Sequence, residues 1–257
     1  MSFNTIKKFE DEIAKFFGSP YAVAVDCCTH GVELSLIHKK VSSISVPKRT
    51  YISIPFLSNK LNIDLQWRDD EWVDYYTLNH TDDCRIIDAA VLWKKDSYIP
   101  KSLMSVSFQF RKHLSLGRGG MILCDNKDDY ISLKKMSYDG RLPDIPWRDQ
   151  DISTMGYHYY MTPETAQLGM DKIEEAINTK PHQWSVNDWP DVSEMKVFKK
   201  IKKEYELWTI VNDEGEMIPM FLEERGDFDE LYVKFMKSPN TIIVDDKGII
   251  KKSHFKI

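Results

Sequence analysis

The sequence predicts an α/β fold, a mostly parallel sheet with helices packed against it. Three observations predict it. Short apolar strands alternate with helical stretches over the first 180 residues. Polar or glycine-containing turns follow the strand ends, where ligands collect in open α/β sheets. A hydrophobic fraction of 42% in 257 residues supplies enough material for a sizeable core.

Taken in order, Phe3, Ile6, Phe9, Ile13 and Phe16-Phe17 recur at helical spacing, and the helix should end at Gly18. Tyr21 to Val25 is a short apolar strand. Asp26-Cys-Cys-Thr-His30 forms the turn into a second helix running through Leu36. Strand, tight turn and helix together offer free backbone N–H groups to an anion. Ser43 to Val46 is a strand closed by Pro47, and Ser53 to Leu57 begins a helix with Pro55 in its first turn. Arg85-Ile-Ile87 is a strand that ends in Asp88. Met104 to Phe108 alternates and meets a polar turn from Gln109 to Gly120. Gly119 to Cys124 is the next strand, and helices follow over Tyr130 to Ser137 and from Thr162 to about Ile177.

After residue 180 the character changes. Trp184, Trp189 and prolines mark a linker-like stretch, and Lys196 to Lys203 reads as a basic, solvated helix face. Leu207 to Val211 with Met217 to Leu222, and Asn240 to Val244 with Ile249-Ile250, read as two hairpins. The expected domains are therefore residues 1–180 and a small β-rich region, 181–257.

Composition excludes several classes. Thirty-five basic against 40 acidic residues, a net charge of -5, argue against sequence-blind nucleic-acid binding. No apolar run reaches the roughly 20 residues of a membrane span. The first residues lack a signal-peptide core, so a soluble, cytoplasmic protein is expected. Cys27, Cys28, Cys84 and Cys124 show neither a disulfide framework nor ligand spacing, and read as mostly buried and inert. His30, His38, His80 and His182 show no metal spacing either.

The chemistry-bearing stretch is Ser107-Phe-Gln-Phe-Arg-Lys112, followed by Gly117-Arg-Gly-Gly120. It places a lysine five residues after a hydroxyl and ahead of a glycine-rich turn. Such a lysine can pair with a phosphate, act as a nucleophilic amine, or simply lie on the surface of a hairpin.

The stretch resembles the Schiff-base segment of the DegT/DnrJ/EryC1/StrS family of PLP-dependent sugar-nucleotide aminotransferases. That segment reads Ser-Phe, three variable residues, Lys, then Gly-x-Gly-Gly. Other landmarks follow in family order: Cys27-Cys28-Thr29 at the "Ser-Gly-Thr" turn, Val46-Pro47 to Tyr51, Ile86-Ile-Asp-Ala-Ala90, and Gly156-Tyr-His-Tyr-Tyr-Met-Thr162. The resemblance implies a reduced fold-type-I, aspartate aminotransferase-like domain with helices on both faces of its sheet. It also implies pyridoxal 5'-phosphate as cofactor and a keto-sugar nucleotide as amino acceptor. Glutamate is the implied donor, and a homodimer with shared active sites the implied assembly.

By the same resemblance Lys112 would carry the cofactor as a Schiff base and shuttle the proton. Asp88 would pair with the pyridinium nitrogen, Tyr51 would stack on the ring, and Ala90 would lie on its other face. Thr29, the N–H groups of Cys28 and Thr29, and the Ser107 hydroxyl would hold the phosphate. The segment near Tyr160 would reach the neighbouring subunit's phosphate.

The chain also departs from the pattern. Cys28 replaces a glycine, Val91 replaces a His or Gln, and His158 and Tyr160 replace Asn and Arg or Asn. The interval from Tyr51 to Asp88 lacks the length of one βα unit. A homologue that binds the cofactor or a partner without turnover, and a generic phosphate-binding domain, are the alternatives. Relatives with histidine in place of the lysine dehydrate instead; Lys112 holds the five-residue spacing and His113 lies one beyond.

Overall fold

The structure is a computed structural model. It describes residues 2–81 and 83–198, and the backbone of strands at 207–211, 217–221, 242–245 and 248–250. The chain divides into two compact units, Met1–Met195 and Lys196–Ile257. Up to Met195, the stretch after 180 therefore belongs to the first unit. Part of it is held by the 48–50 segment: the Val192 N–H donates to the Lys48 carbonyl at 2.9 Å, and the backbones of Arg49 and Asp191 form an isolated antiparallel β-bridge.

In the first unit, helix α1 (Phe3–Phe17) turns its apolar stripe inward. Phe9, Ile13 and Phe17 are fully buried, each contributing roughly 1.5–3 kcal/mol. Gly18 stops the helix in the left-handed region, at φ 75, where a side chain would be strained. Strand β1 (Tyr21–Val25) leads into helix α2 (Cys28–His38). Strand β2 (Ser43–Pro47), helix α3 (Ser53–Leu61) and strand β3 (Asp64–Arg68) make a parallel β2–α3–β3 unit. Strands β4 (Tyr76–His80), β5 (Arg85–Asp88), β6 (Ser102–Ser107) and β7 (Gly120–Cys124) follow. Helix α4 (Lys127–Ser137) is capped by Asn126, whose side chain accepts from the N–H groups of Asp128 and Asp129. Helix α5 (Pro163–Asn178) is capped by Thr162.

The central sheet has the order β1-β7-β6-β5-β4. β2 lies beside β4, where the Asn79 amide donates to the Ser43 carbonyl at 3.0 Å. Helices α1 and α5 share one buried cluster with this sheet. α2 and α4 share another, and α2 and α3 a third that includes β2 and Ile86. Helices thus cover both faces, as expected.

The expectation of a mostly parallel sheet is corrected. Of the pairs in the five-stranded sheet only β5–β6 is parallel; β1–β7, β6–β7 and β4–β5 are antiparallel. The reason is connection length. A parallel return needs a crossover of about a dozen residues or more, usually with a helix. Residues 81–84 can only close a β4–β5 hairpin, and the helix-free turn 108–119 folds β7 back along β6. The shortened interval before Asp88 therefore shows itself as an antiparallel β4.

Glu10 ties the layers together. It is 1% exposed, accepts from the Ala24 N–H at 2.7 Å and pairs with Lys134 at 2.7 Å. Truncating Lys134 leaves that carboxylate buried with no cation beside it. Lys134→Ala should lower unfolding stability by about 3 kcal/mol in urea titrations.

In the second unit, strands β8 (Leu207–Val211), β9 (Met217–Phe221), β10 (Ile242–Asp245) and β11 (Gly248–Ile250) form an antiparallel sheet of order β11-β10-β8-β9. Both expected hairpins are present, and they pair with each other through β10 and β8. The basic run expected over 196–203 lies outside the described residues from 199 onward, as do the hairpin turns. Among the described residues, no helix is long and apolar enough to cross a membrane.

Candidate functional site

The carboxyl ends of β5 and β6, the start of α2 and the 108–119 turn converge on a cavity of about 610 Å³ within the first unit. That size lies in the range of small-molecule and cofactor sites. Cys28, Thr29, Tyr51, Asp88, Ala90, Ser107 and Lys112 all line it. Seven of the eight residues singled out from the sequence are therefore brought together from five separated segments.

Tyr160 is not among them. It packs with Phe3, Tyr138 and His158 and pairs with Val25 at the edge of the sheet. His113 also points elsewhere. Its Nε2 lies 2.8 Å from the Ala176 carbonyl, and its ring packs on Trp93.

Asp88 sits at the end of β5 and is 4% exposed. Tyr76 OH donates to Oδ2 at 2.6 Å and the Ala90 N–H donates to Oδ1 at 2.9 Å. Tyr76 is in turn 2.5 Å from the Thr50 hydroxyl. The β4–β5 register creates this pair, because Tyr76 stands directly opposite Asp88. Burial raises the Asp88 pKa, against the hydrogen bonds from Tyr76 and Ala90 and the nearby Lys112 charge, all of which lower it. A buried carboxylate facing a cavity with no ion pair of its own is a receptor for a positively charged group.

Lys112 is presented by a tight turn. The Phe108 N–H donates to the Gly119 carbonyl, the Phe110 N–H to Gly117, and the Lys112 N–H to Gln109. Gly117 takes φ 80, which favours glycine. Burial lowers the Lys112 pKa, an effect opposed by Asp88 and Cys28 and reinforced by Arg111. Its Nζ lies 4.8 Å from the ring centre of Trp184 and 5.5 Å from that of Trp189.

At the start of α2 the backbone N–H groups of Cys28 and Thr29 have no intrahelical partner. The Thr29 and Ser53 hydroxyls meet at 2.7 Å, and Ser107 Oγ accepts from the Gln109 N–H at 3.3 Å. Arg118 pairs with Asp26, which also binds His30 at 2.6 Å. Burial pulls the His30 pKa down, but its bonds to Asp26 and Cys27 bring it up to about 9, so the ring is cationic at neutral pH. Asp26, Cys27 and His30 offer ligand atoms within 4.8 Å of one another, yet Asp26 is already committed to His30 and Arg118.

The thiols divide by burial. Cys28 is buried, which raises its pKa, and Cys124 is pushed up to about 12 by burial. All four cysteines are free.

Gly120 explains part of the glycine-rich motif. A Cβ there would come within 2.5 Å of the Cys28 nitrogen, so the turn that opens α2 rests on the bare start of β7. Gly120→Ala has to displace backbone. It should cost roughly 1–3 kcal/mol of stability and widen the α2 end of the cavity, measurable as a lower unfolding midpoint together with weaker phosphate-ester binding.

Sequence reasoning missed Ser53, Tyr76, Arg111, Arg118, Trp184 and Trp189 as lining residues. Tyr76 had a local signal, the inward alternation of Tyr76 and Leu78 in β4. The two tryptophans had only their presence in a polar stretch.

The comparisons with known proteins agree with this architecture. Residues 1–56 match the DegT/DnrJ/EryC1/StrS aminotransferase family, which bears out the resemblance over the stretch that holds Cys27-Cys28-Thr29 and Val46-Pro47 to Tyr51. No curated protein matches the chain. Among solved structures, the chain is similar to 3-amino-5-hydroxybenzoic acid synthase, with TM-score 0.54 and 18% identity, over 67% of this chain and 56% of that one. It is similar to the sugar aminotransferase CalS13 from Micromonospora echinospora, with TM-score 0.52 and 16% identity, over 67% and 60%. It is also similar to AtS13 from Actinomadura melliaura, with TM-score 0.56 and 15% identity, over 68% and 61%. The matched stretch spans less than two thirds of each of those chains, and at these identities it shows a shared fold.

Proposed function

Taking the chain as a short member of the DegT/DnrJ/EryC1/StrS family, we propose that it is a pyridoxal 5'-phosphate-dependent aminotransferase acting on a keto-sugar nucleotide, with glutamate as amino donor. The observation that carries this reading is the convergence of Lys112 and the buried, cation-seeking Asp88 on one cavity.

The residues fit the cofactor. Asp88 supplies an anion for a protonated ring nitrogen, and Tyr76 and the Ala90 N–H fix its orientation. The free N–H groups of Cys28 and Thr29, with the Thr29 and Ser107 hydroxyls, suit a phosphate. Tyr51, 52% exposed at the rim, offers an aromatic face, and Ala90 leaves room on the opposite side. When bound, the cofactor supplies an electron sink for the carbon that loses its proton.

The chain's own residues do the rest. Lys112 provides a covalent anchor and then carries the proton to and from the substrate carbon. Burial favours the neutral amine that both tasks require. Asp88 keeps the ring nitrogen protonated. The apolar wall of Ile54, Trp72 and Trp189 limits water around the reacting carbon. A homodimer in which the segment near Tyr160 would reach the neighbour's site belongs to the same reading and rests on the resemblance alone.

The test is chemical. After incubation with pyridoxal 5'-phosphate and borohydride, the cofactor's mass should be found on the peptide bearing Lys112. Label on another lysine, or none, would reject the reading. In a separate sample loaded with the cofactor and not reduced, glutamate alone should release one equivalent of 2-oxoglutarate. Labelling without that release would favour the non-catalytic homologue, which the buried Cys28 at the glycine position motivates.

A further inference from the structure

The strap over residues 184–192 carries two tryptophans into the cavity. Trp184 and Trp189 are stacked on each other, with ring centres 5.6 Å apart and planes at 23°, and Tyr51 meets Trp189 edge-on at 6.0 Å. The strap is fastened independently of the cavity. Ser185 and Asp188 close a capping box, the Arg49 side chain donates to the Trp189 carbonyl at 3.2 Å, and the Val192 N–H donates to the Lys48 carbonyl. Both rings line the cavity beside Lys112.

We propose that Trp184 and Trp189 form the platform for the hexose ring of the sugar-nucleotide substrate, setting specificity by stacking on its C–H face. The inference rests on the function proposed above and deepens it.

Distance assigns the sugar and not the base. The Lys112 amine lies 4.8 Å from the Trp184 ring centre and 5.5 Å from that of Trp189. Whatever covers these rings is therefore next to the reacting carbon, and the base is held away from that carbon by a ribose and two phosphates. The Lys112 amine, which now lies against Trp184, leaves that face open once it is committed to the reaction. Arg111, with its guanidinium carbon 5.8 Å from the Trp184 ring centre, borders the same wall and suits the adjoining diphosphate.

The test uses the cofactor-loaded protein and isothermal titration calorimetry with UDP-, dTDP- and GDP-glucose, and with UDP, dTDP and GDP as hexose-free controls. At least one conjugate should bind more tightly than its nucleotide alone. Trp184→Leu, which keeps the bulk and removes the ring, should weaken that conjugate roughly tenfold or more. Trp184→Phe should weaken it much less, and neither variant should change binding of the bare nucleotide.

Three results would overturn the platform: no advantage of any conjugate over its nucleotide, equal affinity of Trp184→Leu and the parent protein, or an equal loss for nucleotide and conjugate. Borohydride labelling of Lys112 in the same variants separates the two ideas. Label present with unchanged sugar affinity rejects the platform alone, and label absent in the parent rejects the cofactor reading.

Discussion

Lys112→Ala should abolish covalent cofactor attachment and lower transamination by about 10²–10⁴-fold, the range for removing a positioned acid–base group. The variant should still fold, because burial already works against the charged lysine in the native state. Lys112→Arg should be equally inactive, since a guanidinium keeps its proton and cannot serve as the neutral amine. Small primary amines added to Lys112→Ala should restore part of the rate and leave Lys112→Arg unchanged. In the parent protein, burial lowers the amine's pKa, so attachment should accelerate with pH around a midpoint below that of an ordinary lysine. A midpoint at or above the ordinary value would contradict the buried setting. Stopped-flow absorbance after mixing with the cofactor reads this directly.

Asp88→Asn should show opposite effects on activity and stability. Transamination should fall by roughly 10²–10³-fold, because the ring nitrogen loses the charge that keeps it protonated. The cofactor-free variant should be at least as stable as the parent at neutral pH. The sign follows from linkage. Burial raises the folded Asp88 pKa above its unfolded value, so at a pH between those two values the native state holds a proton that the unfolded chain has released. Parent stability therefore declines as pH rises from the ordinary aspartate range through the raised value, and asparagine removes that decline. The asparagine also keeps the local bonds: its Oδ1 can accept from the Ala90 N–H, and Tyr76 can accept from its Nδ2 and donate to Thr50. Urea titrations across a pH series measure both slopes. A parent slope no steeper than the variant's would show that Asp88 is not held in the environment described.

Most helices were legible because their signals are local. The apolar stripe of α1 and its Gly18 stop, and the Thr162 cap before α5, each act within a few residues. β3 and β4 were not read from the sequence. β3 is a partly exposed strand with few apolar residues, and β4 buries only Tyr76 and Leu78. Neither carries enough hydrophobic pattern to stand out from a loop. The site divides in the same way. Ser107, Lys112 and the glycines lie in one short run, whose spacing leaves a phosphate clamp, a nucleophilic amine and a surface lysine open; the resemblance to a known family selects among them. Tyr76 became a partner of Asp88 only through strand register, and Trp184 and Trp189 reached the cavity only through the strap's bonds to the 48–50 segment.

By itself the sequence determined the α/β class and most helix ends, and through its resemblance to a family it nominated the candidate site residues. The first two follow from periodicity and capping, which need no distant neighbour. Only the tertiary structure decided strand direction, the partner that holds Asp88, and the aromatic wall beside Lys112. Those depend on which distant segments meet, and the same residues in another register would leave the carboxylate and the amine apart.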